Sequence, residues 1–107
     1  MQEENLSPKV SLTIYVNNGE ALLSAAVESC LQQTYANLEI IIVDDGSTDG
    51  SAEVIRAYMD PRVSVITHAR KKGLAASLNE AVGKSTGEYI SWIRHYCAYH
   101  REAVALK

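Results

Sequence analysis

Glu39-Ile40-Ile41-Ile42-Val43-Asp44-Asp45-Gly46-Ser47-Thr48-Asp49-Gly50 is the stretch on which the fold turns. Its first five residues form a nearly unbroken apolar, β-branched run. A strand with one wet face alternates polar and apolar residues. An unbroken run suits a strand covered on both faces, as in a parallel sheet between helices. Asp44 to Gly50 then reads as a loop. Gly46 permits a tight turn, and Ser47, Thr48 and Asp49 can each cap a following helix.

The flanking sequence repeats this grammar. Upstream, Val10 to Val16 (VSLTIYV) reads as a strand, broken by Asn17-Asn18-Gly19. From Glu20 to Gln33 the period changes: Leu23, Val27 and Leu31, with Leu22, Ala26 and Cys30 beside them, mark one face of a helix. Downstream, Val54, Ile55 and Tyr58 point inward from a helix that ends before Asp60-Pro61. Val63 to Ile66 forms a short third strand. Gly73 opens a helix with Leu74, Leu78, Ala81 and Val82 on one side, and Glu88 to Ile93 reads as a fourth strand. The order β-α-β-α-β-α-β implies right-handed crossovers and a mostly parallel, Rossmann-like α/β sheet. Residues 1–8 read as a flexible tail, 9–93 as the α/β domain, and 94–107 (RHYCAYHREAVALK) as a divergent C-terminal tail.

Composition narrows the function classes. The 107 residues suit one domain, and 47% hydrophobic content is ordinary for a globular chain. A net charge of -3 argues against a nucleic-acid binder. No apolar run approaches the ~20 residues of a membrane span. The polar, acidic stretch Met1 to Pro8 is unlike a signal peptide. Two cysteines, Cys30 and Cys97, form no disulfide framework, so a reduced cytoplasmic setting is expected, with peripheral membrane association left open.

Ligands of open α/β sheets bind beyond the carboxyl ends of the strands. The loops that matter are therefore Asn17 to Gly19, Asp44 to Asp49, Thr67 to Lys72 and Arg94 onward. Carboxylates such as Asp44 and Asp45 accept hydrogen bonds from a base edge or from ribose hydroxyls. The same residues fit a plain strand-to-helix turn equally well, and Asp49 fits a cap better than a ligand contact. His68-Ala69-Arg70-Lys71-Lys72-Gly73 places cations before a helix, which suits either a diphosphate or a solvated loop. The G-x-G-x-x-G and G-x-x-x-x-G-K-[ST] fingerprints are absent. His95, Cys97 and His100, with His68 as a fourth donor, match no standard zinc spacing, and a plain tail is the better reading.

Four stretches in order resemble the opening of the family 2 glycosyltransferases, which share the GT-A fold. They are Val10 to Ile14 with Asn18-Gly19-Glu20, and Ser29 to Tyr35 with Asn37 to Ile40. Val43 to Gly50 and Gly73 to Asn79 with Thr86 to Ile90 complete the set. The resemblance covers about residues 9–93. It implies a transferase that uses a nucleotide-diphospho-sugar donor, of UDP type, with Mn²⁺ or Mg²⁺. It implies that Asp45 contacts the base, with Asp44 beside it, and that Tyr15 and Asn17 line the nucleotide pocket. Lys71 and Gly73 fall in the N-x-G stretch before the third helix.

The chain departs from the family in three places. Tyr15 and Asn17 stand where the family often has proline and tyrosine. Lysine replaces the asparagine of N-x-G. Arg94-His95-Tyr96 stands where the family has a D-x-D-type metal motif, and it offers no carboxylate to a hard cation. No residue is assigned as metal ligand or catalytic base. The expected function is glycosyl transfer to an acceptor the sequence does not specify, the chain being one part of such an enzyme. The alternative is a non-catalytic nucleotide-binding or partner-binding module, with a homodimer expected through an unprotected strand edge.

Overall fold

The computed structural model describes residues 8–33, 35–58 and 60–94, except for the side chains of Ile93 and Arg94. The proposed tail 1–8 and the segment 95–107, with His95, Cys97 and His100, therefore lie almost wholly outside the described residues. Four strands alternate with three helices: β1 Val10–Val16, α1 Glu20–Leu31, β2 Leu38–Asp45, α2 Ser51–Arg56, β3 Val63–His68, α3 Leu74–Lys84 and β4 Tyr89–Arg94. All pairs are parallel, and the sheet order is β3-β2-β1-β4.

This order explains the apolar run of β2, which lies inside the sheet with a helical layer on each face. Ile40 and Ile42 join Leu12, Ile14 and Val16 of β1 and pack under Leu23, Ala26, Val27 and Cys30 of α1 and Ile55 of α2. Ile41 and Val43 face the other way, toward Ala81 of α3, with Ile66 beside them. Right-handed crossovers require this division, because the chain moves one way from β1 to β3 and the opposite way from β3 to β4. The reversal places the crevice of the sheet beyond the carboxyl ends of β1 and β4.

Several boundaries differ from the sequence reading. β2 continues through Asp44 and Asp45, and β3 through Thr67 and His68, because Asp44 pairs with Thr67 and Asp45 with His68 in the ladder. The carboxylates are thus strand residues rather than loop residues. α1 buries Leu23, Ala26, Val27 and Cys30, while Leu22 is 52% exposed. The inner face of α3 is Ser77 and Ala81. Leu74 and Leu78 are half-buried, and Val82 is exposed. Small residues on that face bring the helix close over Ile41 and Val43.

At the amino end of the sheet a separate polar knot fixes the α3–β4 connection. Glu39 accepts from Ser11 Oγ at 2.7 Å and from Thr86 N–H at 2.7 Å, with Lys9 Nζ 3.8 Å away. Burial opposes ionisation of Glu39, but these donors hold it below the ordinary glutamate range.

Candidate functional site

The site is built around one carboxylate at the end of β2. Asp45 has no exposed surface. Its Oδ1 accepts from Lys72 N–H at 2.7 Å and faces His68 Nδ1 at 2.8 Å. Its Oδ2 accepts from Tyr15 Oη at 2.6 Å and Gly73 N–H at 2.9 Å. Burial pushes the carboxyl toward its neutral form. The donors from Lys72, Tyr15, His68 and Gly73 outweigh burial and hold Asp45 well below the usual aspartate range. These four contacts match the acceptor capacity of a carboxylate, so a base edge can reach Asp45 only by displacing one of them.

Alternation places these side chains together. Asp45 and His68 end β2 and β3, Tyr15 is the last residue but one of β1, and the ladder pairs Tyr15 with Val43 and Asp45 with His68. All three lie on the α3 face. Asn17, just beyond β1, donates from Nδ2 to the Asp45 carbonyl at 2.7 Å. Asp44 points to the opposite face, is 4% exposed, and accepts from Ser47 N–H at 3.2 Å.

Gly46 makes the close approach of the β2 and β3 loops feasible. Its φ is +71°, and a Cβ there would lie 2.5 Å from Lys71 N and 2.7 Å from the Arg70 carbonyl carbon. Only a residue with no side chain lets the D-D-G turn lie against the basic loop. The loop thus carries Arg70 and Lys71 outward, both exposed and, among the described residues, without an acidic partner. Lys72 Nζ lies 3.9 Å from Glu80.

A second lock joins the β1 and β2 loops. Asn18, in the left-handed region at φ 54°, accepts through Oδ1 from Thr48 N–H at 2.7 Å and Asp49 N–H at 3.2 Å. Asp49 is a cap: it accepts from Ser51 N–H at 2.9 Å and from Glu20 N–H at 3.1 Å. Glu20 in turn accepts from Gly50 N–H at 2.9 Å. The first turns of α1 and α2 therefore cap each other. Ser47 and Thr48 bond the β1 loop and do not cap α2.

The structure brings Tyr15, Asn17, Asp45 and Gly73 into one hydrogen-bonded cluster, with the Lys71 backbone packed on Gly46 and Asp44 one residue away. The sequence reading missed how His68 and Glu80 are used. His68 Nε2 contacts Glu80 Oε1 while Nδ1 faces Asp45, so neither ring nitrogen is open to a metal. The signal was His68 in phase with Ile66 on β3, and Glu80 one turn from Ser77 on α3. Among the described residues no three His, Cys, Asp or Glu side chains converge to hold a metal ion.

A parallel sheet with this strand order, helices on both faces and a carboxylate-centred loop cluster at its carboxyl end is an α/β domain of the Rossmann-like kind. The sequence profile described as "Glycosyl transferase family 2" matches residues 11–104, and the chain belongs to that family. EpsE of Bacillus subtilis is 40% identical over 90 residues, which covers 81% of this chain and 32% of that protein. Glycosyltransferase GlyG of Streptococcus pneumoniae is 42% identical over 88 residues, covering 80% of this chain and 29% of that protein. The mannosyltransferase PcManGT of Pyrobaculum calidifontis, solved with GDP-Man and Mn²⁺, superposes with a TM-score of 0.85 at 25% identity, covering 92% of this chain and 30% of that one. Residues 1–349 of Staphylococcus aureus TarS with UDP superpose at 0.84 and 21% identity, covering 91% of this chain and 30% of that one, which bears on the fold alone. The chain thus spans about a third of the length of these relatives. No helix among the described residues is long and apolar enough to cross a membrane.

Proposed function

We propose that the chain supplies the nucleotide-binding part of an enzyme that transfers a sugar from a nucleotide-diphospho-sugar. The observation that carries this reading is the convergence of Tyr15, Asn17 and the Lys72-Gly73 backbone on Asp45, beside an exposed Arg70-Lys71 pair. The cluster fixes the loops before ligand arrives, which lowers the ordering cost of binding. Tyr15 and Asn17 line the nucleoside side, Asp45 forms its floor with Asp44 behind it shaping the turn, and Lys71 with Arg70 meets the diphosphate. Gly73 is the N-cap of α3, whose amino end adds a favourable dipole.

The expected divalent metal does not fit the residues at hand. Arg94, the last residue of β4, is followed in sequence by His95-Tyr96 with no carboxylate, and no donor cluster exists among the described residues. In this reading cationic side chains balance the diphosphate, and no step is routed through a metal. The test is titration with UDP of the chain and of Lys71→Glu. Charge reversal should weaken binding about tenfold, or about 1.4 kcal/mol. Equal affinity of the two proteins would remove the basic loop from the site.

A second reading is a non-catalytic module that binds nucleotide or a partner, a homodimer included. The exposed edge strand β4, with Tyr89 62%, Ile90 43% and Trp92 44% exposed, favours it.

A further inference from the structure

His68 stands between two carboxylates on two different elements. From β2, Asp45 faces Nδ1 at 2.8 Å; from α3, Glu80 contacts Nε2. The ring side chain is 3% exposed and the Glu80 side chain 44%. The other titratable groups act through these two: Tyr15 of β1 on Asp45, and Lys72 of the β3–α3 loop on Glu80, 3.9 Å away. α1 and α2 lie on the opposite face of the sheet.

A neutral imidazole carries one N–H and one lone pair. Asp45 is buried and accepts three other donors, so its contact requires a proton on Nδ1. The Nε2 contact with Glu80 then holds only with one further proton between the two, on Nε2 or on the Glu80 carboxyl. Loss of the second proton sets a lone pair against a carboxylate. Asp45 has no route to water, whereas Glu80 can turn outward. The contact that opens is therefore the one between β3 and α3. Its opening also releases Glu80 from Lys72, next to the two N–H groups that Asp45 holds.

We propose that Asp45, His68 and Glu80 form a proton-dependent clamp that sets the position of the Lys72-Gly73 backbone, and hence of the basic loop, in the nucleotide site. His68 is here a positioning residue. The clamp is closed while the His68–Glu80 contact holds its proton and opens when that proton is lost. Its consequence for ligand rests on the nucleotide-binding reading, but the clamp itself can be observed without ligand.

The test follows the ring nitrogens of His68 and the amides of Lys72 and Gly73 by ¹⁵N NMR on the full chain between about pH 5.5 and about pH 8.5. In the native chain the amides should move with the His68 ring. Glu80→Gln accepts a neutral ring, so its amide displacement should shrink at least about fivefold. Glu80 is half exposed, so this variant keeps the test valid if His68→Asn fails to fold. His68→Asn retains a donor toward Asp45 but cannot titrate. Its UDP affinity should change with pH at least about fivefold less than that of the native chain. Static amides, or a Glu80→Gln variant whose amides move like those of the native chain, would each overturn the clamp. Coupled amides without UDP binding at any pH would sustain the clamp and overturn the nucleotide reading.

Discussion

At the residue scale, Asp45 carries the account. Its four contacts tie β1, β3 and the β3–α3 loop to the end of β2. Asp45→Ala leaves buried donors unpaired and should cost about 3 kcal/mol in denaturant unfolding. Tyr15→Phe removes one neutral donor to a charged acceptor and should cost about 1.5 kcal/mol, clearly less. Equal costs for the two would show that Asp45 is not the hub. The pH dependence has a definite sign. The folded-state carboxyl titrates below the unfolded one, so its stabilisation is complete above the ordinary aspartate range and fades below about pH 4. Asp45→Asn should flatten that acid limb. Asp45 was legible in sequence as a carboxylate following a buried strand, and Tyr15 and Asn17 through the family resemblance. The satisfaction of Asp45 was not, because His68 and the Lys72-Gly73 amides are distant in sequence and meet it only through strand pairing.

At the element scale, two predictions concern how helices and loops seat on the sheet. Cys30 of α1 is fully buried, and burial pushes its thiol up to about 12 despite the Ser29 hydroxyl. Mass spectrometry of the Cys30 peptide should show no alkylation at neutral pH in the folded chain and rapid alkylation once it is unfolded. Rapid native modification would place α1 wrongly. Gly46→Ala drives a Cβ into the Lys71 backbone and should cost about 1–3 kcal/mol of local strain, with weaker UDP binding. A variant as stable as the parent would mean that the two loops do not touch. The alternation of elements was legible from the apolar run of β2 and the helical period of α1. Of the inner face of α3 only Ala81 was, because Leu74, Leu78 and Val82 beside it suggest a wider apolar stripe. The packing instead favours Ser77 and Ala81, where close approach to the sheet outweighs side-chain size.

At the scale of the whole molecule, the order β3-β2-β1-β4 puts β4, with large exposed apolar residues, at one edge of the sheet among the described residues. An open, apolar edge invites pairing with another chain. Sedimentation should therefore show self-association of this chain that Trp92→Glu weakens; a strictly monomeric profile at high concentration would contradict it. The fold class was legible in sequence, but which face each helix covers depends on the reversal between β3 and β4, which local pattern does not encode.

The most direct measurement of the central claim is calorimetric titration of the chain with UDP and UDP-sugars, with and without Mn²⁺. The account predicts saturable binding at one site, with an affinity that Mn²⁺ does not change, because Arg70 and Lys71 rather than a metal meet the diphosphate. Heats no larger than dilution under both conditions would contradict it.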